Sequence, residues 1–228
     1  MKFMFDCDDT LYNLRKPFEI TLKKLLPDLL EHDLQTLYVQ YRKAGDEVFD
    51  QVQAGTMSID QSGEYRIQRL CEIYQYPLSL QQACSFQKEY RFQQSQISMF
   101  PEIKTYFKKT DATLAILTNG EDQHQRMKLQ ALQVYDFIPL SHTFTSGQLQ
   151  VAKPDANAFL LAIEQIDQDV SGWCYIGDNY HIDMEGAKAA GLTTIHFNHH
   201  HNQEGPASDY VAYTVQDLIS LLETLENQ

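Results

Sequence analysis

A short apolar run at the start of the chain ends directly in two closely spaced carboxylates. Phe3, Met4 and Phe5 are apolar at consecutive positions, a pattern typical of a parallel strand that is covered on both faces. Asp6 and Asp8 follow at once. The chain is therefore expected to fold around a buried parallel strand whose carboxyl end holds two acidic side chains.

The two carboxylates suggest a cation site. If strand geometry continues as far as Asp8, period-two alternation places the side chains of Asp6 and Asp8 on the same side. Carboxylates so close repel each other and are costly to dehydrate. A cation between them relieves both costs, and Mg²⁺ suits such an oxygen-rich site. The alternative is that the two aspartates only end the strand and cap a turn, as aspartate often does.

The composition is that of an acidic globular protein. The 228 residues can form one large domain or two small ones around a substantial core. No apolar run approaches the roughly 18 to 20 residues of a membrane span, and the first apolar stretch is too short for a signal peptide. The net charge of −13 argues against binding to nucleic acid or to anionic membranes. We expect a cytoplasmic protein, in which a metal and a few basic residues could still hold a small anionic substrate.

Residues 15–97 have helical periodicity and no good strand. A first apolar stripe reaches Pro27, which should bend or break its helix, and a second stripe stops near Gly55. Ser58–Gln61 and Ser79–Gln82 match capping boxes ahead of two further helices. The pattern predicts four helices inserted after the first strand. Because both connections lie near the predicted site, the insertion is positioned to act as a lid.

After residue 100, short apolar runs alternate with helical segments. Strands are predicted over 113–118, 173–176 and 193–197, and a strand followed by a helix is predicted over 210–222. Between the first two of these strands, Pro154 is placed in the first turn of a helix. This alternation predicts a parallel sheet, which binds ligands beyond the carboxyl ends of its strands. Four polar residues stand at those predicted ends: Asp6, Asp8, Thr118 and Asp178.

Four short motifs, in this order, resemble those of the haloacid dehalogenase-like hydrolases. They are Asp6-Cys-Asp8-Asp-Thr10-Leu11, Leu117-Thr118-Asn119-Gly120, Lys153-Pro154-Asp155 and Gly177-Asp178-Asn-Tyr-His-Ile-Asp183. Together they span nearly the whole chain. The resemblance implies an α/β protein with a Rossmann-like parallel-sheet core, formed by residues 1–14 and 98–228. It also implies an inserted four-helix cap over residues 15–97.

The resemblance further implies a Mg²⁺-dependent phosphatase that acts on a small phosphorylated metabolite. The candidates are a nucleoside monophosphate, a sugar phosphate or a phosphoacid. Asp6 would be the nucleophile that forms an aspartyl-phosphate intermediate. Asp8 would be the general acid toward the leaving oxygen and then the general base toward water.

Other motif residues are implied to bind the metal and the phosphate. Thr118 and Lys153 would bind phosphoryl oxygens, assisted by main-chain N–H groups in the loops of Asp8 and Asn119. Asp183 would orient a metal-bound water or Lys153. The less favoured alternative for Thr118 or Asn119 is that it only caps a helix. Lys153 taken alone would be read as a solvated side chain, and its Pro-Asp context and its position in the family pattern favour the phosphate role. The implied Mg²⁺ ligands are Asp6, the backbone carbonyl of Asp8, and Asp178.

Three other functions are compatible with this family pattern. A 2-haloacid dehalogenase needs the nucleophilic Asp6 but neither an acid at Asp8 nor Mg²⁺, so Asp8 counts against it. A phosphomutase needs both aspartates and would yield an isomer rather than free phosphate. A regulatory module could keep the fold without turnover, although the complete motif set argues against that.

A few further residues attract attention without a clear role. His199–His201 has the composition of a metal-binding tract, but its position in a polar loop ahead of Gly205 favours a loop without a metal. Alternation turns Cys7 away from the two aspartates, which favours a small buried residue. A surface or packing role is also favoured for four residues near the hinge or in the insertion: Tyr12, Arg15, Arg66 and Arg69.

Overall fold

The structure is a computed structural model that describes residues 1–167 and 169–227. It divides into two compact units. The sheet unit combines Met1–Asn13 with Ile97–Gln228, and the helical unit is Leu14–Gln96. Within the described residues, no helix combines the length and apolar character needed to cross a membrane.

The sheet unit contains six parallel strands within its described residues. They are β1 (Lys2–Phe5), β2 (Thr113–Thr118), β3 (Thr143–Thr145), β4 (Trp173–Gly177), β5 (Thr193–Phe197) and β6 (Tyr210–Ala212). Their spatial order is β3-β2-β1-β4-β5-β6, which confirms the predicted α/β class with a parallel sheet. The edge strand β3 was not predicted from the sequence, because three residues with two threonines carry little apolar pattern.

Four long helices form the helical unit, as the sequence predicts, together with a short one. Phe18 lies at its centre and packs against Tyr41 and Phe86, with ring centroids 4.7 and 6.2 Å away. Both predicted capping boxes are present, and a 3-10 turn begins at Pro27. The helices are α1 (Arg15–Leu25), α2 (Leu34–Asp46), α3 (Phe49–Gln53), α4 (Ile59–Ile73) and α5 (Leu80–Gln94).

Helices cover both faces of the sheet, as the apolar run in β1 predicts. On one face the ring of Phe5 packs edge-on against Phe107, 5.1 Å away. On the other face Met4 belongs to a buried cluster that includes Phe159. The helices of this unit are α6 (Pro101–Phe107), α7 (Asp122–Ala131), α8 (Ser146–Leu149), α9 (Ala156–Glu164), α10 (Glu185–Ala189) and α11 (Val215–Glu226), with a π-helical turn at Tyr180–Met184.

The start of α9 differs from the sequence prediction. Pro154 does not lie in the first turn of the helix but precedes its N-cap residue, Asp155, and follows a cis peptide bond. The Asp155 carboxylate accepts a hydrogen bond of 2.9 Å from the backbone N–H of Asn157. An aspartate cap satisfies a backbone donor at the start of the helix, so Asp155 rather than Pro154 sets where α9 begins.

Candidate active site

Three neighbouring strands deliver polar side chains to one edge of the sheet. Asp6 follows β1, Thr118 ends β2 and Asp178 follows β4, and β1 lies between β2 and β4. The backbone N–H of Asp6 donates to the carbonyl of Ile176 at 2.8 Å, so the β1–β4 ladder continues to the site itself. The parallel topology therefore brings together residues that are more than 100 positions apart.

A turn, rather than an extended strand, positions Asp8. β1 ends at Phe5, and the backbone N–H of Leu11 donates to the carbonyl of Cys7 at 3.0 Å. The hydroxyl of Tyr12 donates to Asp8 Oδ1 at 2.7 Å. The assumption that strand alternation extends to Asp8 is wrong, because the turn begins before that residue.

The ammonium group of Lys153 is bonded to three acceptors in the interior of the sheet unit. Its Nζ lies 2.8 Å from Asp6 Oδ1 and 2.7 Å from Asp183 Oδ1. It also donates to the hydroxyl oxygen of Tyr175 at 2.7 Å. An ammonium has three N–H donors, so this environment satisfies every one of them.

Burial governs the electrostatics of this cluster. Removal from water raises the pKa of Asp6 to about 6, and the opposing attraction of Lys153 only partly offsets that effect. Burial by itself would lower the pKa of Lys153, but Asp183 and Asp6 outweigh it, and the pKa is raised above its ordinary value. Lys153 is therefore a permanent cation, as expected of a buried ammonium paired with two carboxylates.

The second oxygen of the Asp183 carboxylate, which does not contact Lys153, is held by close packing against the backbone. This atom, Oδ2, accepts a hydrogen bond of 3.0 Å from the backbone N–H of Asn179. A side chain at Gly177 would place its Cβ 2.4 Å from that same oxygen. Gly177 is thus required because the carboxylate of Asp183 lies directly against its backbone.

Two residues hold the backbone around Lys153 and Leu117. The side chain of Asn119 donates to the carbonyl of Lys153 at 2.8 Å and accepts from its N–H at 2.9 Å. The hydroxyl of Tyr175 donates to the carbonyl of Leu117 at 2.9 Å. The Asn119 side chain thus positions the Lys153 peptide. Only the main chain of Asn119 is left for the predicted phosphate contact.

A second buried lysine contacts Asp8. Nζ of Lys128 lies 2.7 Å from Oδ1 and 2.6 Å from Oδ2 of Asp8. The Lys128 side chain is 3% exposed, whereas that of Asp8 is 26% exposed. Lys128 was not predicted as a site residue, although it shares one face of α7 with two other buried residues, Gln125 and Leu129.

Thr118 is buried beside the same helix. Its hydroxyl lies 3.4 Å from Gln125 Oε1, at the limit of a hydrogen bond. Gln125 in turn donates to the carbonyl of Asn119 at 2.8 Å. The hydroxyl of Thr118 thus lies among the polar groups that follow β2, next to the Asp8 site.

The carboxylates form an oxygen-rich cluster that fits a divalent metal. One oxygen from each of Asp6, Asp178 and Asp183 lies within 4.8 Å of the others. When ionised, these three and Asp8 hold four negative charges, and Lys153 and Lys128 supply two positive ones. Because two negative charges are left over, a hard divalent cation at this cluster would neutralise them and favour the approach of a phosphate anion.

Asp178 is additionally held through its backbone. Nε2 of His196 lies 3.0 Å from the carbonyl oxygen of Asp178. Burial lowers the pKa of His196, so the ring is neutral and carries its proton on the nitrogen that donates to this carbonyl. The interaction fixes the position at which the loop leaves β4.

The remaining residues noted in the sequence fall into different environments. Burial raises the pKa of Cys7 well above its usual value, so the thiol stays neutral. Arg15 bonds Gln35, Arg66 stacks on Tyr41 and Arg69 pairs with glutamates, all within the helical unit. His199 and His200, in contrast, are partly buried and contact Asp9.

The model of a known protein family matches most of the chain. It is the haloacid dehalogenase-like hydrolase family, and the match covers residues 3–191. The chain belongs to this family. The match confirms both the resemblance drawn from the four motifs and the prediction that this protein is a hydrolase.

Relatives of known activity are phosphatases. Pyrimidine 5'-nucleotidase PynA of Streptococcus pneumoniae is 26% identical, over 96% of this chain and 94% of the relative. Glyceraldehyde 3-phosphate phosphatase of Pyrococcus furiosus is 23% identical, over 98% of this chain and 92% of the relative. These relatives agree with the prediction of a phosphoric monoester hydrolase.

Solved structures share the fold. The putative hydrolase YfnB of Bacillus subtilis, bound to magnesium, has a TM-score of 0.73 at 21% identity, with 97% of this chain and 98% of that one covered. L-2-haloacid dehalogenase of Xanthobacter autotrophicus also gives 0.73, at 15% identity, with 98% of each chain covered. These likenesses confirm the Rossmann-like core with its inserted helical unit.

Proposed function

We propose that this protein is a Mg²⁺-dependent phosphatase that hydrolyses a small phosphate monoester through an aspartyl-phosphate intermediate. One observation carries the proposal. Asp6 and Asp8 lie at the same strand end, and each is bound by its own buried lysine, Lys153 and Lys128. Two carboxylates in such different environments suit the two roles that the reaction requires.

Asp6 acts as the nucleophile. Its carboxylate oxygen attacks phosphorus, and the bond between phosphorus and the leaving oxygen breaks, which leaves an acyl phosphate on Asp6. The contacts with Lys153 and the β1–β4 ladder fix the orientation of this carboxylate in advance. Pre-orientation of this kind lowers the entropic part of the barrier.

Asp8 moves the proton in both half-reactions. It donates a proton to the leaving oxygen and later accepts one from the water that attacks the acyl phosphate. The bond between phosphorus and the Asp6 oxygen then breaks, which regenerates the Asp6 carboxylate and releases inorganic phosphate. The contacts of Lys128 and Tyr12 orient Asp8, while its partial exposure gives the proton a path to solvent.

Lys153 and Thr118 bind the phosphoryl oxygens. Lys153 is a permanent cation next to the nucleophile. When the phosphate arrives, one of its three N–H groups turns from its acceptor in the protein to a phosphoryl oxygen. The loop that follows Thr118 adds main-chain N–H donors near Asn119. Donors aimed at developing negative charge stabilise the transition state.

The metal would be held by Asp6, Asp178 and the backbone carbonyl of Asp8, with Asp183 beside them. When bound, Mg²⁺ neutralises the clustered carboxylates and polarises the phosphoryl group. Asp183 orients Lys153 through the 2.7 Å contact. The oxygen-only character of the cluster favours Mg²⁺ over metals that prefer nitrogen or sulfur.

The inserted helices are proposed to act as a cap with the predicted borders, residues 15–97. A cap that excludes bulk water favours small substrates over polymers. Because a pyrimidine 5'-nucleotidase is similar along nearly its whole length, nucleoside monophosphates are the first class to test. Sugar phosphates and phosphoacids follow. We propose a cytoplasmic location, as for an enzyme of small metabolites.

The alternatives predict different products. A dehalogenase would release halide from a 2-haloacid without Mg²⁺, and Lys128 and Tyr12 would have no acid–base residue to hold. A phosphomutase would return an isomer of the sugar phosphate. A regulatory module would release no phosphate. The complete set of contacts around Asp8 favours the phosphatase.

Release of phosphate is the decisive measurement. The wild-type protein, Asp6→Asn and the control Asp33→Asn are incubated with Mg²⁺ and a panel of nucleotides, sugar phosphates and an aryl phosphate. Asp33 is the N-cap of α2, a position where asparagine is equally suitable. We expect kcat/KM to fall at least about 10⁴-fold in Asp6→Asn and to stay unchanged in Asp33→Asn.

Two outcomes would contradict the proposal. Phosphate release that persists in Asp6→Asn would show that Asp6 is not the nucleophile. Activity that survives complete chelation of divalent metal would remove the role given to Mg²⁺. Halide release from a 2-haloacid, with no turnover of any phosphate ester, would favour the dehalogenase instead.

A further inference from the structure

A second group of possible metal ligands lies beside the active site but shares none of its side chains. One ligand atom from each of Asp9, His199 and His200 lies within 4.8 Å of the others. The two histidines come from the turn that follows β5, and Asp9 follows Asp8 directly. Nothing in the proposed phosphatase chemistry uses these three side chains.

The turn that presents the histidines is firmly held. Asn198 is 1% exposed, and its side-chain oxygen accepts a hydrogen bond of 2.7 Å from the backbone N–H of Asn202. Its amide nitrogen donates to Glu204 Oε1 at 2.9 Å. The backbone N–H of His201 donates to the carbonyl of Asn198 at 3.1 Å. A buried asparagine thus shapes the turn, and the histidines occupy fixed positions on it.

Stacking fixes the planes of the two rings. The ring of His199 stacks on Phe197, with centroids 4.5 Å apart and planes inclined by 18°. The centroid of the His200 ring is 3.9 Å from that of His199. Both rings are therefore oriented before any ligand arrives, which lowers the entropic cost of binding.

Both Nε2 atoms point at Asp9. Nε2 of His200 lies 2.9 Å from Asp9 Oδ2, and Nε2 of His199 lies 3.7 Å from Oδ1. Asp9 adopts a left-handed backbone conformation with a φ of 58°. Such a conformation is uncommon for residues other than glycine, and here it accompanies a carboxylate that faces both histidines.

We propose that Asp9, His199 and His200 form a binding site for a divalent transition metal such as Zn²⁺. The two imidazole nitrogens and one carboxylate oxygen are a ligand set that zinc accepts, with one position left open. The Asp6, Asp178 and Asp183 cluster offers only oxygen and suits Mg²⁺. Two adjacent sites of different donor chemistry would therefore select different metals.

A bound metal would tie the segment after Asp8 to the turn after β5. Nε2 of His199 already lies 2.9 Å from the backbone carbonyl of Asp9, so the two segments are in contact without a metal. Metal binding would break the hydrogen bonds from His199 Nε2 to the Asp9 carbonyl and from His200 Nε2 to the Asp9 carboxylate, and it would form three metal–ligand bonds. Each Nε2 must bind through its lone pair, so a neutral ring carries its proton on Nδ1 instead, and a charged ring releases one proton to solvent. The site can be tested without any assay of phosphatase activity.

The experiment is a titration of the full chain, without an added histidine tag, with Co²⁺. Excess Mg²⁺ is present throughout to occupy the oxygen-only cluster. We expect a visible absorption band of Co²⁺ in low coordination, which Zn²⁺ abolishes by displacement. His199→Ala, His200→Ala and Asp9→Asn should each weaken Co²⁺ binding by at least about tenfold, since even the loss of an indirect contact to a ligand costs that much.

His201 provides the matched control. It belongs to the same tract, but it is exposed, and its ring stacks on Tyr213. Its φ of 53° is one that asparagine tolerates, so His201→Asn should fold and bind Co²⁺ as tightly as the wild type. Equal binding by His200→Ala and the wild type, or no binding by the wild type, would overturn the proposal.

A readout on the wild-type chain covers the case in which a variant fails to fold. Zn²⁺ is added in the presence of Mg²⁺, and the ring ¹H–¹⁵N signals of the histidines are followed. The signals of His199 and His200 should shift, while that of His201 stays in place. Shifts confined to His201 or His181 would mean surface binding only and would contradict the site.

Discussion

Two buried lysines each bind one of the paired aspartates, and they do so in different surroundings. Lys153 divides its three donors among acceptors just after β1, on β4 and in the π-helical turn. Lys128 directs its ammonium at both oxygens of one carboxylate. The side chain of Asp6 is 9% exposed and that of Asp8 is 26% exposed. Two lysine–aspartate pairs thus give one buried carboxylate of fixed orientation and one carboxylate that can exchange protons with water.

The difference teaches that exposure, rather than residue type, distinguishes the two carboxylates, and the two proposed roles rest on that distinction. A nucleophile gains from a fixed orientation, whereas a proton carrier must be reached by water and by the leaving oxygen. Four substitutions test this division, in decreasing order of expected effect.

Asp8→Asn removes the proposed proton carrier and should have the largest effect of the four. With an alkyl phosphate, kcat should fall by about 10²–10⁴-fold, the usual contribution of general acid–base catalysis. With an aryl phosphate whose phenol is a good leaving group, the loss in the first step should be much smaller. Burst kinetics that resolve the two half-reactions provide the measurement. An equal loss of the first step for both substrates would break the proposed division of roles.

Lys153→Met should reduce kcat by about 10²–10³-fold, the typical cost of losing a donor to a developing oxyanion. It also leaves Asp6 and Asp183 buried without their cation. The free energy of unfolding, measured with denaturant, should therefore fall by about 3–5 kcal/mol. Adding Asp6→Asn should recover part of that loss, because it removes one of the buried charges. A double variant as unstable as the single one would mean that charge burial is not the cause.

Lys128→Met should lower kcat by roughly tenfold with an alkyl phosphate and leave KM nearly unchanged, since Lys128 acts through Asp8. Lys128→Arg retains the charge and should recover part of the activity. In an Asp8→Asn background the substitution should cost almost nothing further, because the two residues act as a unit. Additive losses in the double variant would show that Lys128 has a separate role.

Tyr175→Phe should have the smallest effect, roughly fivefold on kcat, as expected if only its hydrogen bond with Lys153, of about 1 kcal/mol net, bears on the reaction. The hydroxyl bonds both Lys153 and the carbonyl of Leu117. Phe107→Leu, on the opposite face of the sheet, is the control for a change in packing alone. Activity equal to that of the wild type in Tyr175→Phe would mean that Asp6 and Asp183 suffice to position Lys153.

Much of the architecture was predictable because it follows from local patterns. Apolar runs that end in polar residues identified β1, β2, β4 and β5, and both capping boxes fixed the starts of helices. β3 was missed because a three-residue edge strand has too few positions to show a pattern. The break of α1 before Pro27 was predicted because proline cannot continue a helix.

The site residues that belong to the four sequence motifs were predicted, and those outside the motifs were not. Lys128 was missed because a lysine in a polar helix normally points into water. His199 and His200 were read as loop residues, and nothing local links them to Asp9, about 190 positions earlier. The hydrogen bonds between the Asn119 side chain and the Lys153 peptide were not predicted, whereas the phosphate contact of the main chain at Asn119 stays a prediction. In each case the partner is distant in sequence, so no local pattern contains it.

The sequence by itself determined the order of the polar residues along the chain: acidic residues after the first predicted strand, a hydroxyl at the end of the second and carboxylates after the third, which is β4 in the structure. Periodicity and turn residues suffice for this because they act over a few neighbouring positions. Only the tertiary structure decided which carboxylate is buried and which is partly exposed. Burial depends on how β4, α7 and the turn after β5 pack around the end of β1. Burial sets the electrostatic environment of each charge, and so the fold, rather than the motif, separates Asp6 from Asp8.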